Sequence, residues 1–457
     1  MKRFTGVLLA SVMIVSLAAC GAKTQEAPDG GAGGKVGETK AGANTGSAGK
    51  ADSGETGSTT DYNGITLTFM NSKPEITGEL EEIVKGWASN HNVVVEFYES
   101  SDPTGTLTQK YAAGDAPILA ILDSTQINEM AEEKMLPLDG EEWVSQTDLG
   151  CYVNGKLYGM PLTVESQCLI VNKKAVEKVL GREFDKTKYT TTETLEALFA
   201  ELREKGMENP MILLSESWSM CSHLFAQMMN FQDGTSKGAF AFVDDIKAGK
   251  DCFDNPLFQN QIKIFNLYAE YNINKADPLA AVYDLNCSYL VDGEAAFMSN
   301  GTWVWPDLAA MGADVNAFEI MSHPIDNDLT GRVQASATKF IAVDNTNATA
   351  EQQAAAKEFL NFLTMTDEGQ KALTEKCGIV SAFKNNPYSP ADPVNTSLAV
   401  DYMSKGKTVN IVPYGPPSDY RKTLESYVQK VVTGAGTARE LADAINAYWQ
   451  THEPNGR

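Results

Sequence analysis

The sequence predicts an α/β body built as two lobes, and two observations lead there. Short alternating apolar runs are interleaved with stretches whose apolar residues recur at helical spacing, in the order strand, helix, strand, short helix, strand. That order is the signature of a parallel sheet with crossover connections. The stretch from Asp61 to Arg457 is also long enough for a large core and for two lobes.

The elements follow in chain order. Ile65–Met70 alternates as a strand, after which Ile76, Leu80, Ile83, Val84 and Trp87 share one helical face. Val93–Tyr98 forms the second strand. Gly114 and Pro117 break the chain before a third strand at Ile118–Leu122. Leu169–Asn172, Met211–Leu214 and Phe340–Val343 read as further strands. Thr349 with Gln352 forms a capping box that opens a helix carrying Phe359, Phe362 and Leu363. Thr437 with Glu440 does the same for Leu441, Ala444, Ile445 and Tyr448. Asp292-Gly-Glu-Ala-Ala reads as the capped start of a helix running to Met298, which gives Asp292 and Glu294 a structural role.

Ahead of the body, Lys2 and Arg3 precede an apolar run from Val7 to Val15, followed by Leu17-Ala-Ala-Cys20. A positive start, a short apolar core and small residues before a cut define an export signal, here residues 1–19. The run is too short to span about 30 Å of hydrocarbon. Leu-Ala-Ala-Cys resembles the bacterial lipobox, which implies diacylglyceryl transfer to the Cys20 thiol and an anchor on the extracytoplasmic face of the membrane. Two acyl chains, at about 0.8 kcal/mol per buried CH₂, hold where one would be marginal. From Gly21 to Thr60 the chain is mostly Gly, Ala, Ser, Thr, Glu and Lys, with Val36 as the exception among large apolar residues. Such a segment buries too little to offset its ordering entropy and reads as a tether of roughly 35 Å root-mean-square span.

Charge and motifs narrow the function by exclusion. The formal charge of −23 becomes −25 once Lys2 and Arg3 leave with the signal. An acidic surface keeps an exported protein soluble, argues against nucleic acid and favours a neutral or cationic ligand. Beyond Cys20, six cysteines remain at wide spacing, with no C-x-x-C pair. They read as small buried hydrophobes, with disulfide pairing left open. The four histidines are scattered, and no metal site or cofactor is expected. The chain has no Gly-x-Ser-x-Gly elbow, no His-Glu-x-x-His and no phosphate-cradling glycine loop, so no enzyme activity is expected.

Five segments carry a resemblance. Tyr111-Ala-Ala-Gly-Asp-Ala-Pro117 leads into a strand. Leu157-Tyr-Gly-Met-Pro161 is followed by Leu169-Ile-Val-Asn-Lys173. Leu290–Met298 is followed by Gly301-Thr-Trp303, and Ala354–Leu363 by Thr366–Gln370. In this order they are similar to the extracellular solute-binding proteins of carbohydrate ABC transporters, the maltose-binding-like group. Ile118 stands where that group usually has Asp. The resemblance implies a periplasmic-binding-protein-like fold, two α/β lobes joined by hinge crossings, with a ligand cleft between them. One lobe would take residues 61–164 and 338–394, the other 166–337 and 395–451. It further implies an oligosaccharide or other small sugar as ligand, ABC permease subunits as partners, and a monomer.

A pyranose has an apolar face and a polar rim, so its site needs flat rings and charged or amide acceptors. Trp303 matches the tryptophan of the group's Gly-x-Trp. Trp305 shares its side if that segment is extended and is core otherwise. Trp218, with Glu216, leaves the carboxyl end of the Met211–Leu214 strand, where open α/β sheets bind ligands. Tyr414 lies on a proline-stiffened loop. Asn71, Ser72 and Lys73 leave the first strand, and Asp123 leaves the third, where it also suits a helix N-cap. Glu165 and Ser336 occupy the two crossings implied by the resemblance. A lipid-anchored glycoside hydrolase, with two carboxylates about 5–9 Å apart, and a binder of polyamine or peptide are the alternatives.

Overall fold

The computed structural model describes residues 60–410, 416–417 and 419–454. Its centre is a mixed sheet in the order β2-β1-β3-β9-β5-β7-β6. The strands are β1 (Thr66–Asn71), β2 (Val94–Glu99), β3 (Leu119–Leu122), β4 (Cys151–Val153), β5 (Lys156–Asn172), β6 (Met211–Leu213), β7 (Phe297–Gly301), β8 (Phe318–Met321), β9 (Val333–Val343) and β10 (Thr408–Val409). β4 and β8 pair with β5, and β10 pairs with β9. The first three strands are parallel, as their crossover helices require.

Two long antiparallel strands hold the molecule together. β5 runs for 17 residues, pairing with β9 through Met160–Gln167 and with β7 through Gln167–Val171. β9 in turn pairs with β3 through Phe340–Val343. The register shifts on either side of Thr163, a bulge where pairing is interrupted. A third pass of the chain touches the same place, where the Val164 N–H donates to the Val380 carbonyl at 2.8 Å.

The apolar groups explain why β5 lacks a simple alternation in sequence. Cys168 and Ile170 pack in one cluster, together with Phe69, Trp87, Trp143, Ile341 and Phe359. Leu169 and Val171 pack in another, with Phe199, Phe225, Phe265, Tyr268 and Trp449. A strand buried on both faces is apolar at every position. Both expected capping boxes form: the backbone N–H groups of Gln352 and Glu440 donate to the hydroxyls of Thr349 and Thr437, each at 3.2 Å.

One local expectation is corrected. The helix around Asp292 ends there, spanning Tyr283–Asp292, and Gly293 terminates it at φ +75°, a left-handed conformation that glycine adopts without penalty. The following residues lead into β7 rather than into a helix. All six cysteines of the body are free and buried, and burial pushes the thiols of Cys151, Cys168, Cys221, Cys287 and Cys377 up to about 12.

Candidate ligand-binding site

A cavity of about 370 Å³ lies where the carboxyl end of β1 faces the segment after β7. Lys73, Glu75, Ile76 and Glu79 line it from one side, and Thr302, Trp303, Trp305 and Val315 from the other. Thr163 and Glu165 of β5 also reach it, as do Glu375 to Ile379 and Asn395.

Lys73 is 2 % exposed, yet its ammonium is doubly paired: with Glu75 at 2.6 Å and with Glu165. Burial opposes its charge, but the two carboxylates overcome that and hold the ammonium above its ordinary range. Glu165 is likewise buried. Lys73 and the Thr338 hydroxyl both donate to it and keep its carboxyl below the usual value despite burial. The Asn71 amide shapes this corner: its Oδ1 accepts from the Lys73 N–H at 2.8 Å, and its Nδ2 donates to the Lys73 carbonyl and to Thr77. Asn71 therefore positions Lys73 and has its amide engaged within the turn.

Next to this cavity stands a cluster of rings. Trp303 meets Trp218 edge-to-face at 6.2 Å and His223 at 5.1 Å, and Trp218 meets His223 at 5.4 Å and Tyr283 at 6.2 Å. Trp303 lines the cavity as well, so it joins the two regions. Its indole folds back over Gly301, where a Cβ would lie 2.1–2.5 Å from three ring atoms. Glycine at this position is what leaves room for the ring. The Glu216 Oε2 and the His223 Nδ1 are both buried without a hydrogen-bond partner. Burial lowers the imidazole of His223 to about 4. Asp123 and Glu165 pull it up, while Arg421 and Lys339 push it down.

The structure thus brings Lys73, Glu165, Trp303 and Trp305 onto one cavity and sets Trp218 beside it. The segment after Trp303 is not extended: Thr302–Val304 is a 3₁₀ turn, and the helix Trp305–Ala310 follows. Trp305 is accordingly 9 % exposed and packs on Phe318 at 5.8 Å, leaving only part of itself on the cavity. Asp123 heads the helix Ser124–Lys134, where its N–H donates to Gln126, and its carboxylate pairs with Lys339 at 2.8 Å. Ser336 is buried directly across from Glu165 on β9. Tyr414 and Cys20 lie outside the described residues. Among the described residues, no group of His, Cys, Asp and Glu is placed to hold a metal ion.

Sequence reasoning missed His223 and Gly301. His223 follows Trp218 by five residues, which an α-helix would turn about 140° apart. Ser219–Leu224 is instead a π-helix, whose wider i→i+5 turn brings the two rings together. Gly301 was visible in its Gly-Thr-Trp context, but its steric purpose was not.

Residues 82–396 match the family model described as "Bacterial extracellular solute-binding protein". The chain belongs to this family. It is a solute-binding protein, and the glycoside-hydrolase alternative falls with that membership. Solved structures share the two-lobed fold. The solute-binding protein RafE in complex with raffinose matches at TM-score 0.68 and 16% identity, over 84% of this chain and 99% of that one. A chitin oligosaccharide binding protein matches at 0.67 and 15%, over 85% and 98%. A manno-oligosaccharide specific solute-binding protein from Bifidobacterium animalis subsp. lactis, in complex with mannotriose, matches at 0.64 and 16%, over 85% and 94%.

Proposed function

We propose that this solute-binding protein captures a sugar, most simply an oligosaccharide, in the cleft lined by Lys73, Glu165, Trp218 and Trp303, and delivers it to an ABC permease. The observation that carries the reading is the ring cluster of Trp218, Trp303 and His223 set beside buried charged groups. Rings offer the apolar face of a pyranose a platform, and the polar groups around them serve its hydroxyls. The neighbours that bind raffinose, chitin oligosaccharide and mannotriose support the class. In this reading the lobes are residues 61–164 with 338–394 and 166–337 with 395–451, and the crossings of β5 and β9 form the hinge.

Calorimetric titration with raffinose, chitotriose, mannotriose, spermidine and a short peptide tests the ligand class. Binding confined to the last two would replace the sugar reading with a polyamine or peptide one. We further propose that Cys20 carries the lipid that keeps the monomeric body at the outer face of the membrane, as its Leu-Ala-Ala-Cys context supports. Cys20→Ala should abolish acyl labelling and leave ligand affinity unchanged; normal labelling of that variant would remove the anchor.

A further inference from the structure

We infer that His223 is a specificity-determining residue of the cleft, its neutral imidazole reading one hydroxyl of the sugar held at Trp218 and Trp303. The inference rests on the sugar-binding reading above and adds a residue and a polar contact to it.

The first argument is a comparison within the molecule. The protein has four histidines, and three have their Nδ1 engaged. That of His91 bonds the Trp87 carbonyl at 2.7 Å, that of His323 the Tyr268 hydroxyl at 2.8 Å, and that of His452 the Tyr448 carbonyl at 2.8 Å. His223 alone has its Nδ1 buried with no partner among the described residues. Buried polar atoms are rarely left this way, and an orphan calls for an explanation. A ligand hydroxyl supplies one.

The second argument is position. The ring touches both tryptophans of the cluster, at 5.1 and 5.4 Å. Its backbone is tied to the second crossing strand, because Gln334 Nε2 donates to the His223 carbonyl at 3.5 Å and to Gln167 Oε1 of the first at 3.0 Å. The π-helix that carries it is an irregularity found most often at functional sites.

The third argument is charge. Four charged groups act on the ring: Asp123 beyond β3, Glu165 of β5, Lys339 of β9 and Arg421 of the helix Tyr420–Val432. Two are acidic and two basic, so their effects oppose each other and burial decides. The ring stays neutral at physiological pH. A neutral imidazole carries one donor and one acceptor, which suits a hydroxyl that is also both.

Two variants and one spectrum test this. His223→Phe keeps a flat ring against both tryptophans and removes both nitrogens; His223→Gln keeps a donor and an acceptor. Each is titrated with raffinose, chitotriose and mannotriose. For whichever sugar the wild type binds, the Phe variant should lose about ten-fold in affinity and the Gln variant less. The melting temperature of the unliganded Phe variant should be unchanged or higher, since it removes an unmet polar atom. One monodeoxy derivative of that sugar should lose the same factor on wild type and nothing more on the Phe variant. In ¹⁵N-histidine-labelled wild type, the Nδ1 resonance of His223 should move on saturation with the sugar, a readout that needs no variant to fold. Unchanged affinity of the Phe variant, or an unmoved resonance with sugar bound, overturns the inference and leaves sugar binding standing. Absence of binding of all three sugars to wild type overturns both.

Discussion

Lys73 and Glu165 show how a single pair can serve the cleft and the fold together. Both side chains are more than nine-tenths buried and satisfy each other's charge. Removing one partner leaves the other as an uncompensated buried ion, a change that typically destabilises by about 3–5 kcal/mol. Lys73→Met should therefore lower unfolding free energy by about that amount in urea titration, and adding Glu165→Gln to it should recover a large part. If the double variant is as unstable as the single one, the pair contributes through something other than charge compensation. His323 gives the pH counterpart. Burial lowers its imidazole to about 3 while it bonds the Tyr268 hydroxyl. The unfolded chain, with an ordinary value near 6.5, takes up a proton first. Stability is thus fully present above about pH 6.5 and is lost as pH falls toward 3, by an amount on the order of a few kcal/mol. Melting temperatures measured from pH 7 to pH 4 should fall, and His323→Gln should flatten that slope. A slope untouched by the substitution would assign the acid sensitivity to other groups.

At the scale of elements, legibility in the sequence followed how local the cause of each element was. β1, β2 and β3 were readable because each is a short apolar run bounded by turn residues, and the two capping boxes because their spacing is self-contained. β5 was not readable as one strand of 17 residues. Its middle, Thr163 to Gln167, is polar, since there it pairs with β9 at the crossing and bears the cleft residue Glu165. Trp303 was readable from Gly-Thr-Trp, whereas the π turn that swings His223 toward it leaves no periodic trace. The mistaken helix after Asp292 has a similar origin: Gly293 can follow a helix or precede one, and only the chain's onward course into β7 decides. The segment from β7 into the 3₁₀ turn yields its own test. Gly301 has φ −144°, which any residue adopts, so a methyl group there meets only the Trp303 ring. Gly301→Ala should displace that ring and weaken sugar binding with little change in melting temperature, and Trp303→Ala should cost about 2–4 kcal/mol of binding. Loss of the fold in either variant without ligand would make Trp303 a core residue rather than a platform.

Across the whole molecule, the two ends of the sheet communicate through very little backbone. Between the strands that pair with β3 and those that pair with β7, the connection is the Val164–Gln167 stretch of β5 and the Gln334–Ala337 stretch of β9, with Val380 bridging to Val164. A bulge at Thr163 already interrupts the ladder there, so a modest rotation changes a few torsions and breaks few hydrogen bonds. Open and closed arrangements of the lobes we propose should then differ little in free energy. A ligand that touches Lys73 on one side and Trp303 on the other interacts more strongly with the closed arrangement, and that difference sets how far the population shifts. To move the equilibrium from one part in a hundred to ninety-nine requires about 5.5 kcal/mol of differential binding, which platforms worth 2–4 kcal/mol each supply together with a few hydrogen bonds. The measurable consequence is compaction. A chain beginning near Asp61 should show a smaller radius of gyration in small-angle scattering when saturated with the sugar it binds, and its tryptophan emission should change as Trp218 and Trp303 lose water. The Gly301→Ala variant, saturated at higher sugar concentration, should reach the same compact radius, because the hinge is untouched. Saturation without any change in radius would describe a rigid binder, and a permease would then have no difference in shape by which to tell the loaded protein from the empty one.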